Sequence, residues 1–461
     1  MSVRRFRVWS AVLWACAGAG PALAQWNPSS GQWGKVDADD VRVLTWNIDD
    51  DICRTATKVE GQNSWTALAR IVAAMRPDVW LIQEAADNSG NGTGSGCDSV
   101  SQLTTTIELF FHGGSDPFMG GTVTAYVQKY APDYDLPYIF VCTKTDSYNR
   151  NVIVSRFPFA DLNGDTVSQR SEPSVGADEY APGGYLEPLR GFMFAEFNLP
   201  DSTYAGNLVV GNAHLKCCSD GLVERELSGK NTAYYIDYFF NGAGTGIPDP
   251  HDKIADYPPA TSILDDYTPV IVGGDWNEDE LENGRKGPTE WITRAAVTGG
   301  ADGTDRDRSD MTYDDARNPY DNNRVTYGSS KLDYLAWQDS IATLRNTFIF
   351  HTTGLPSAWY PPEILGFPSP PVISVYASPH RPVTADFILP AAPAWPPGDM
   401  NCDATVDFGD INPFVLALSN PTVYGQTYPG CPILNGDING DGTFDFGDIN
   451  PFVALLSGGG A

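Results

Sequence analysis

Basic residues are scarce in this chain. Lys and Arg number 29 against 58 Asp and Glu, a formal net charge of −29 over 461 residues. Such a surface does not draw polyanions by itself, so a phosphate-bearing substrate needs a cation as a bridge. Long apolar runs are also lacking: beyond the N-terminal segment, no stretch is long and apolar enough to read as a membrane-spanning helix. Histidine, the side chain that titrates near neutral pH, occurs five times. One of the five, His380, lies between Pro379 and Arg381-Pro382 in ASPHRPVTADF, Ala377 to Phe387. Taken alone it reads as an ordinary loop residue, and other parts of the sequence have to raise it above that.

The chain opens MSVRRFRVWSAVLWACAGAGPALAQ. Arg4, Arg5 and Arg7 precede an apolar run, Val8 to Ala17, too short to span a bilayer, and Ala22-Leu23-Ala24 is a small-residue cleavage signal. Residues 1–24 are therefore expected to be a secretory signal peptide, and the mature protein secreted or held at the cell surface. Cleavage takes the charge from −29 to −32 and leaves seven cysteines: Cys53, Cys97, Cys142, Cys217, Cys218, Cys402 and Cys431. An odd number leaves at least one thiol unpaired within the chain, and the connectivity of the first five stays open. The Pro-rich segment 391–397 reads as a semi-rigid linker between a body, residues 25–390, and a C-terminal region, residues 398–461.

The C-terminal region is an internal repeat. GDMNCDATVDFGDINPFVLAL, Gly398 to Leu418, returns as GDINGDGTFDFGDINPFVALL, Gly436 to Leu456. Side-chain oxygens fall at loop positions 1, 3, 5, 9 and 12: Asp399, Asn401, Asp403, Asp407 and Asp410, then Asp437, Asn439, Asp441, Asp445 and Asp448. Thr405 and Thr443 stand at position 7, where a loop round a hard cation offers a backbone carbonyl. An apolar helical run follows each loop. The pattern resembles a type I dockerin, with duplicated calcium loops that end in Asp. The resemblance implies a small helical calcium-binding module and a cohesin-type docking partner. It departs at position 6, where Gly442 fits the turn and Ala404 does not, so weaker calcium binding is expected in the first loop. Cys402 and Cys431 are candidates for a disulfide stapling this small module.

The body alternates strands and helices. Strands are predicted at 41–46, 79–82, 151–155, 192–197, 207–213, 269–273, 331–336 and 383–389, and helices at 65–75 and 223–240. Polar groups cluster at the strand ends: Asn47, Glu84, His214, Asp275 with Asn277, Asp333 and His380. Each alone reads as a polar loop residue. Together they make up the inventory for a hard metal ion and two proton-transfer groups.

The motifs LTWNI, LIQEA, NAHLK, GGDWN, KLDYL and SPHRPVTADF resemble, in order, those of the endonuclease/exonuclease/phosphatase superfamily. The resemblance implies a four-layer α/β sandwich, two packed and largely antiparallel sheets with helices outside. It implies hydrolysis of a phosphoester by water with Mg²⁺ or Mn²⁺ held by Glu84 beside Asn47. Asp275 and Asn277 are then expected near the scissile phosphate, with Asn277 donating to a non-bridging oxygen. Asp333 is expected to orient His380 as general base, and His214 to serve as general acid. The chain departs from the family at Pro379, where Asp usually precedes the histidine; a second metal position is thereby in doubt. His112, His251 and His351 match nothing, and Asp161, Asn163 and Asp165 read as a turn.

The substrate is less legible. Nucleic acid leads on the family resemblance alone, with Arg150, Arg156 and Arg190 as available cations and no basic cluster. A sphingomyelinase or another phospholipid or inositol phosphate hydrolase is the alternative. Leu355 to Pro371, with Trp359, Tyr360, Ile364, Leu365 and Phe367, reads first as a loop packed on the body and otherwise as an apolar edge entering a membrane interface. A catalytically inactive body used for binding is a third reading, with Pro379 its one support.

Overall fold

The computed structural model describes residues 26–54, 58–85, 99–143, 149–160, 192–218, 220–236, 264, 267–283, 287–293, 311–392, 395–440 and 443–457. The expected signal peptide, Cys97, the turn at 161–165, Arg190, His251 and Asp441 with Gly442 lie outside them.

In the body, elements run in the order β1 (Val41–Asn47), α1 (Ser64–Met75), β2 (Val79–Gln83), α2 (Val100–His112), β3 (Tyr138–Val141), β4 (Val152–Ser155), β5 (Phe192–Phe197), β6 (Leu208–His214), α3 (Leu222–Tyr234), β7 (Val270–Asp275), β8 (Met311–Tyr313), β9 (Asp333–Gln338), β10 (Thr343–Ile349) and β11 (Val383–Ile388). One sheet has the order β10-β11-β1-β2-β4-β3 and the other β8-β9-β7-β6-β5. Each contains one parallel pair, β1 with β2 and β6 with β7, and is otherwise antiparallel. Two mixed sheets with helices outside match the expected sandwich.

Alternation along the strands sorts the layers. Val41, Val43, Val79 and Leu81 of one sheet pack with Val210, Ile271 and Leu335 of the other in one buried cluster. The intervening residues Leu44, Trp46, Trp80 and Ile82 face outward and pack with Leu68 and Val72 of α1 and Leu103 and Phe110 of α2. Val209, Val272 and Tyr334 face outward from the second sheet. Because both faces of the central strands are covered, they read as near-continuous apolar runs. Gly273 lets the sheets approach, since a Cβ there would stand 2.8 Å from Leu81 and 2.6 Å from Leu335.

Most strand boundaries shift by one or two residues. The strand expected at 331–336 begins at Asp333, because Thr326 Oγ1 takes the Leu332 N–H and Asp279 takes the Lys331 N–H before the ladder starts. The helix expected at 223–240 begins at Leu222 and is α-helical to Tyr234; its expected end, 237–240, lies outside the described residues. The edge strand β10 and helix α2 had not been anticipated; β10 alternates exposed and half-buried residues over its first four positions, ends in buried Phe348 and Ile349, and is bulged between Leu344 and Asn346. The loop reading of Leu355 to Pro371 holds: Leu355, Ile364 and Phe367 are buried, Trp359 and Tyr360 pack against the core, and Leu365 is the exposed one of the set.

In the C-terminal region, α4 (Ile411–Ser419), α5 (Pro421–Thr427) and α6 (Ile449–Leu456) enclose a small core. Phe414 and Phe452, equivalent residues of the two repeats, stack with centroids 4.1 Å apart and planes 1° apart. The Cys402–Cys431 disulfide is formed.

Arg42 and Asp386 face each other across β1 and β11, fully buried, joined by two bonds of 2.6 and 2.8 Å. The remaining Arg42 nitrogen donates to the carbonyls of Trp33 and Met75. Removing one partner strands a buried charge. Asp386→Asn should lower unfolding free energy by about 3–5 kcal/mol in urea titration.

Candidate active site

The inter-sheet face of each central strand ends in a polar residue. In β1 the series Val41, Val43, Thr45 runs to Asn47; in β6, Leu208, Val210, Asn212 runs to His214; in β7, Ile271 and Gly273 run to Asp275. The ladder sets His214 opposite Asp275 and Asp275 opposite Asp333, side by side across three strands. Glu84 follows β2 and His380 precedes β11, so the other sheet contributes Asn47, Glu84 and His380 at the same end.

Beneath these groups a polar bridge joins the sheets. Gln83 Nε2 donates to Asn212 Oδ1 at 2.7 Å and to Thr45 Oγ1 at 3.1 Å. Asn212 Nδ2 donates to the carbonyls of Ile82 and Val152 at 3.0 and 2.8 Å. All three side chains are fully buried. Gln83 and Asn212 were visible in the sequence only as polar residues near strand ends; polar side chains inside otherwise apolar strands were the signal.

Glu84 adopts φ 50, a conformation rare for a side-chain-bearing residue. It is held there by Asp50 N–H donating to its carbonyl at 2.9 Å and Ala85 N–H donating to Arg150 O at 3.1 Å. Asn277, at φ 54, donates its backbone N–H to Asp275 Oδ1 at 3.0 Å and its Nδ2 to Leu215 O at 3.0 Å. Gly274 precedes Asp275 at φ 151, where a Cβ would stand 1.8 Å from the Ala213 carbonyl oxygen.

The side chains meet as two overlapping groups. Donor atoms of Glu84, His214 and Asp275 lie within 4.8 Å of one another, and so do those of Asp275, Asp333 and His380. Asn47 Nδ2 bridges Glu84 Oε1 and Asp275 Oδ2 at 2.9 Å each. His214 Nε2 is 3.5 Å from Glu84 Oε1 and 3.8 Å from Asp275 Oδ2. His380 Nδ1 is 3.0 Å from Asp333 Oδ2, and its Nε2 is 3.8 Å from Asp275 Oδ2. Burial, then the Asp333 charge, raises the Asp275 carboxyl above its ordinary range against the pull of both histidines and Asn47. Burial opposes charge on His380, but Asp333 and Asp275 outweigh it and raise the ring to about 9.

The donor set fits a divalent cation. Two carboxylates share one amide donor with a histidine alongside, and a hard cation there relieves their mutual repulsion. Asp275, expected beside the phosphate, thus joins Glu84 as a candidate ligand. Asn47 presents its nitrogen to the carboxylates, while its Oδ1 accepts from Asp49 N–H at 3.0 Å. Coordination by that oxygen requires the amide to turn.

The groups open onto a cleft of about 580 Å³. Arg150 donates to the carbonyls of Cys142 and Thr143, and Arg156 pairs with Asp78. Among the described residues, the Lys or Arg side chain lining the cleft is that of Arg225, which the sequence reading missed and which pairs with Glu278.

In the repeats, position 12 caps its own loop. Asp410 accepts from the N–H groups of Met400, Asn401 and Asp407, and Asp448 from those of Ile438, Asn439 and Asp445. Asp399 accepts from Asp403 and Ala404, and Asp403 from Thr405. Ala404 occupies φ 70, the conformation for which glycine is suited. Among the described residues, neither loop brings three acidic ligand atoms within 4.8 Å.

No protein-family model and no curated protein matches the chain. Solved structures do. The human Nocturnin catalytic domain with bound sulfate is 14% identical with TM-score 0.41, covering 76% of this chain and 93% of its own. A humanized D. rerio TDP2 is 12% identical with TM-score 0.38, covering 76% and 100%. An endonuclease/exonuclease/phosphatase from Beutenbergia cavernae is 18% identical with TM-score 0.35, covering 77% and 73%.

Asn212→Leu removes one acceptor of the Gln83 amide and the side-chain donor to two buried carbonyls. It should cost about 2–3 kcal/mol in chemical denaturation, with Gln83→Met giving a smaller loss.

Proposed function

We propose that residues 25–390 form a divalent-metal-dependent phosphodiesterase of the endonuclease/exonuclease/phosphatase type, acting on nucleic acid. One observation carries the chemistry: Glu84, Asn47, Asp275 and His214 converge at the mouth of the inter-sheet core, beside a buried His380–Asp333 pair. Nucleic acid as substrate rests on the motif resemblance.

Glu84 and Asp275 would hold Mg²⁺ or Mn²⁺, with Asn47 beside them. Such an ion supplies charge to a phosphate oxygen and bridges an anionic substrate to an acidic protein. Asp333 accepts the hydrogen bond from His380 Nδ1–H and so leaves Nε2 as the atom that takes the proton of the attacking water. Proton acceptance needs a neutral ring; the Asp333 and Asp275 carboxylates favour the protonated one, and a cation held by Glu84 and Asp275 would offset them. His214, between Glu84 and Asp275, carries a proton toward the leaving oxygen. Asn277 uses one amide hydrogen on Leu215 O and has a second for a non-bridging oxygen. Pro379 lines the cleft without offering a ligand.

The C-terminal region, residues 398–461, is proposed as a dockerin-like module whose two loops take Ca²⁺ and which docks on a cohesin-type partner. Its support is the duplicated spacing and the matched exposure of Phe408 with Phe446, Ile411 with Ile449 and Val415 with Val453. Residues 1–24 are proposed to direct export.

The test is hydrolysis of bis(p-nitrophenyl) phosphate and plasmid DNA by residues 25–461 with Mg²⁺, Mn²⁺, Ca²⁺ or EDTA. Turnover should require metal, and His380→Ala and Glu84→Ala should each lower it by about 10²-fold or more. Sphingomyelin and inositol phosphates test the other substrate classes. Folded protein inert on all of them would point to a binding role for the body.

A further inference from the structure

His380 is anchored at three points. Nδ1 meets Asp333 Oδ2 at 3.0 Å, the backbone N–H donates to Ser378 Oγ at 3.0 Å, and the carbonyl accepts from the Trp46 indole N–H at 2.9 Å. Two of these hold the backbone. The single bond at Nδ1 sets the tautomer but leaves the ring able to rock about that contact, which would swing Nε2 across the cleft. A flat ring is fixed by a second contact on its face, and Tyr327 provides it. The two rings stack with centroids 4.4 Å apart and planes 26° apart.

Tyr327 is not part of the core. It is 44% exposed and lines the cleft. Its placement comes from the backbone. Tyr327 and Ser330 exchange hydrogen bonds of 3.1 and 2.9 Å around a turn with Gly328 at φ 55. Arg381, the residue after His380, donates its backbone N–H to Thr326 O at 2.8 Å and its guanidinium to Val325 O at 3.0 Å. Thr326 Oγ1 accepts from the Leu332 and Asp333 N–H groups at 2.8 and 3.2 Å. The segment carrying Tyr327 is thereby tied to the His380 loop on one side and to the start of Asp333's strand on the other. An exposed aromatic ring held this way has no packing task that a smaller turn residue would fail.

We propose that Tyr327 is a positioning residue for His380. Its ring face keeps the imidazole from rocking and keeps Nε2 aimed into the cleft. The contribution is preorganisation of the group that accepts the proton, so it appears in turnover rather than in substrate binding. This rests on the reading of His380 as the general base.

The experiment compares Tyr327→Phe, Tyr327→Leu and Tyr327→Asn with the unaltered protein and with His380→Ala. The readout is kcat and KM on bis(p-nitrophenyl) phosphate with saturating Mn²⁺, with thermal melting as a check on folding. The ring face makes the contact, so Tyr327→Phe should stay within about twofold in kcat. Tyr327→Leu and Tyr327→Asn should each lose about fivefold to tenfold in kcat at nearly constant KM and melting temperature. Unchanged kcat in both would overturn the inference. A rise in KM at constant kcat would also overturn it, showing that the ring binds substrate instead. Activity retained by His380→Ala would remove the general-base reading itself, a failure separate from the other two.

Discussion

Two β-sheets packed face to face impose the constraint from which the site follows. Their shared core is apolar through Val41, Val43, Val79, Leu81, Val210, Ile271 and Leu335, and at one end of the strands the same faces turn polar. A polar group there cannot turn to solvent without leaving its strand, so it must find a partner across the gap. Gln83 and Asn212 do so, and their bridge forms the floor on which Asn47, Glu84, His214 and Asp275 stand. Parallel pairing of β1 with β2 and of β6 with β7 aligns the strand ends, and antiparallel β9 and β11 bring Asp333 and His380 to the same edge.

The electrostatics of this edge differ from those of a fold held by surface ion pairs. Asp275 is buried next to Asp333, which raises its carboxyl, and the two histidines and Asn47 only partly relieve it. A chain with 58 acidic and 29 basic residues has few Lys or Arg side chains to place there; Arg225, the arginine lining the cleft among the described residues, is already joined to Glu278. A cation from solution would offset the crowding of the Glu84, Asp275 and Asp333 carboxylates at this edge.

Much of this was legible in sequence because the strands are short apolar runs that end abruptly in polar residues. VIVGGD breaks at Asp275 and VWLIQ is followed by Glu84, so the runs carried both the elements and the site. Other features were hidden for identifiable reasons. Helix α2 begins beyond a polar, glycine-rich stretch and carries three successive threonines, Thr104 to Thr106, which weaken its helical signal. Asp275 as a candidate ligand depends on the separation between sheets, which no local spacing encodes. Tyr327 sits in TYGSS, a turn by composition, and its stacking on a residue over fifty positions away depends on the Arg381 to Thr326 bond. In the repeats, matched spacing predicted the loops, and Cys402–Cys431, a candidate pair from the small size of the module, is bonded, while Ala404 still takes the backbone conformation expected of glycine.

The measurement that bears most directly on this account is the anomalous scattering of Mn²⁺ in crystals of residues 25–461. A peak in contact with both Glu84 and Asp275, lost in Glu84→Gln crystals prepared alike, is the predicted result. Manganese confined to the loops at 399–410 and 437–448, with none at the strand ends, would contradict it.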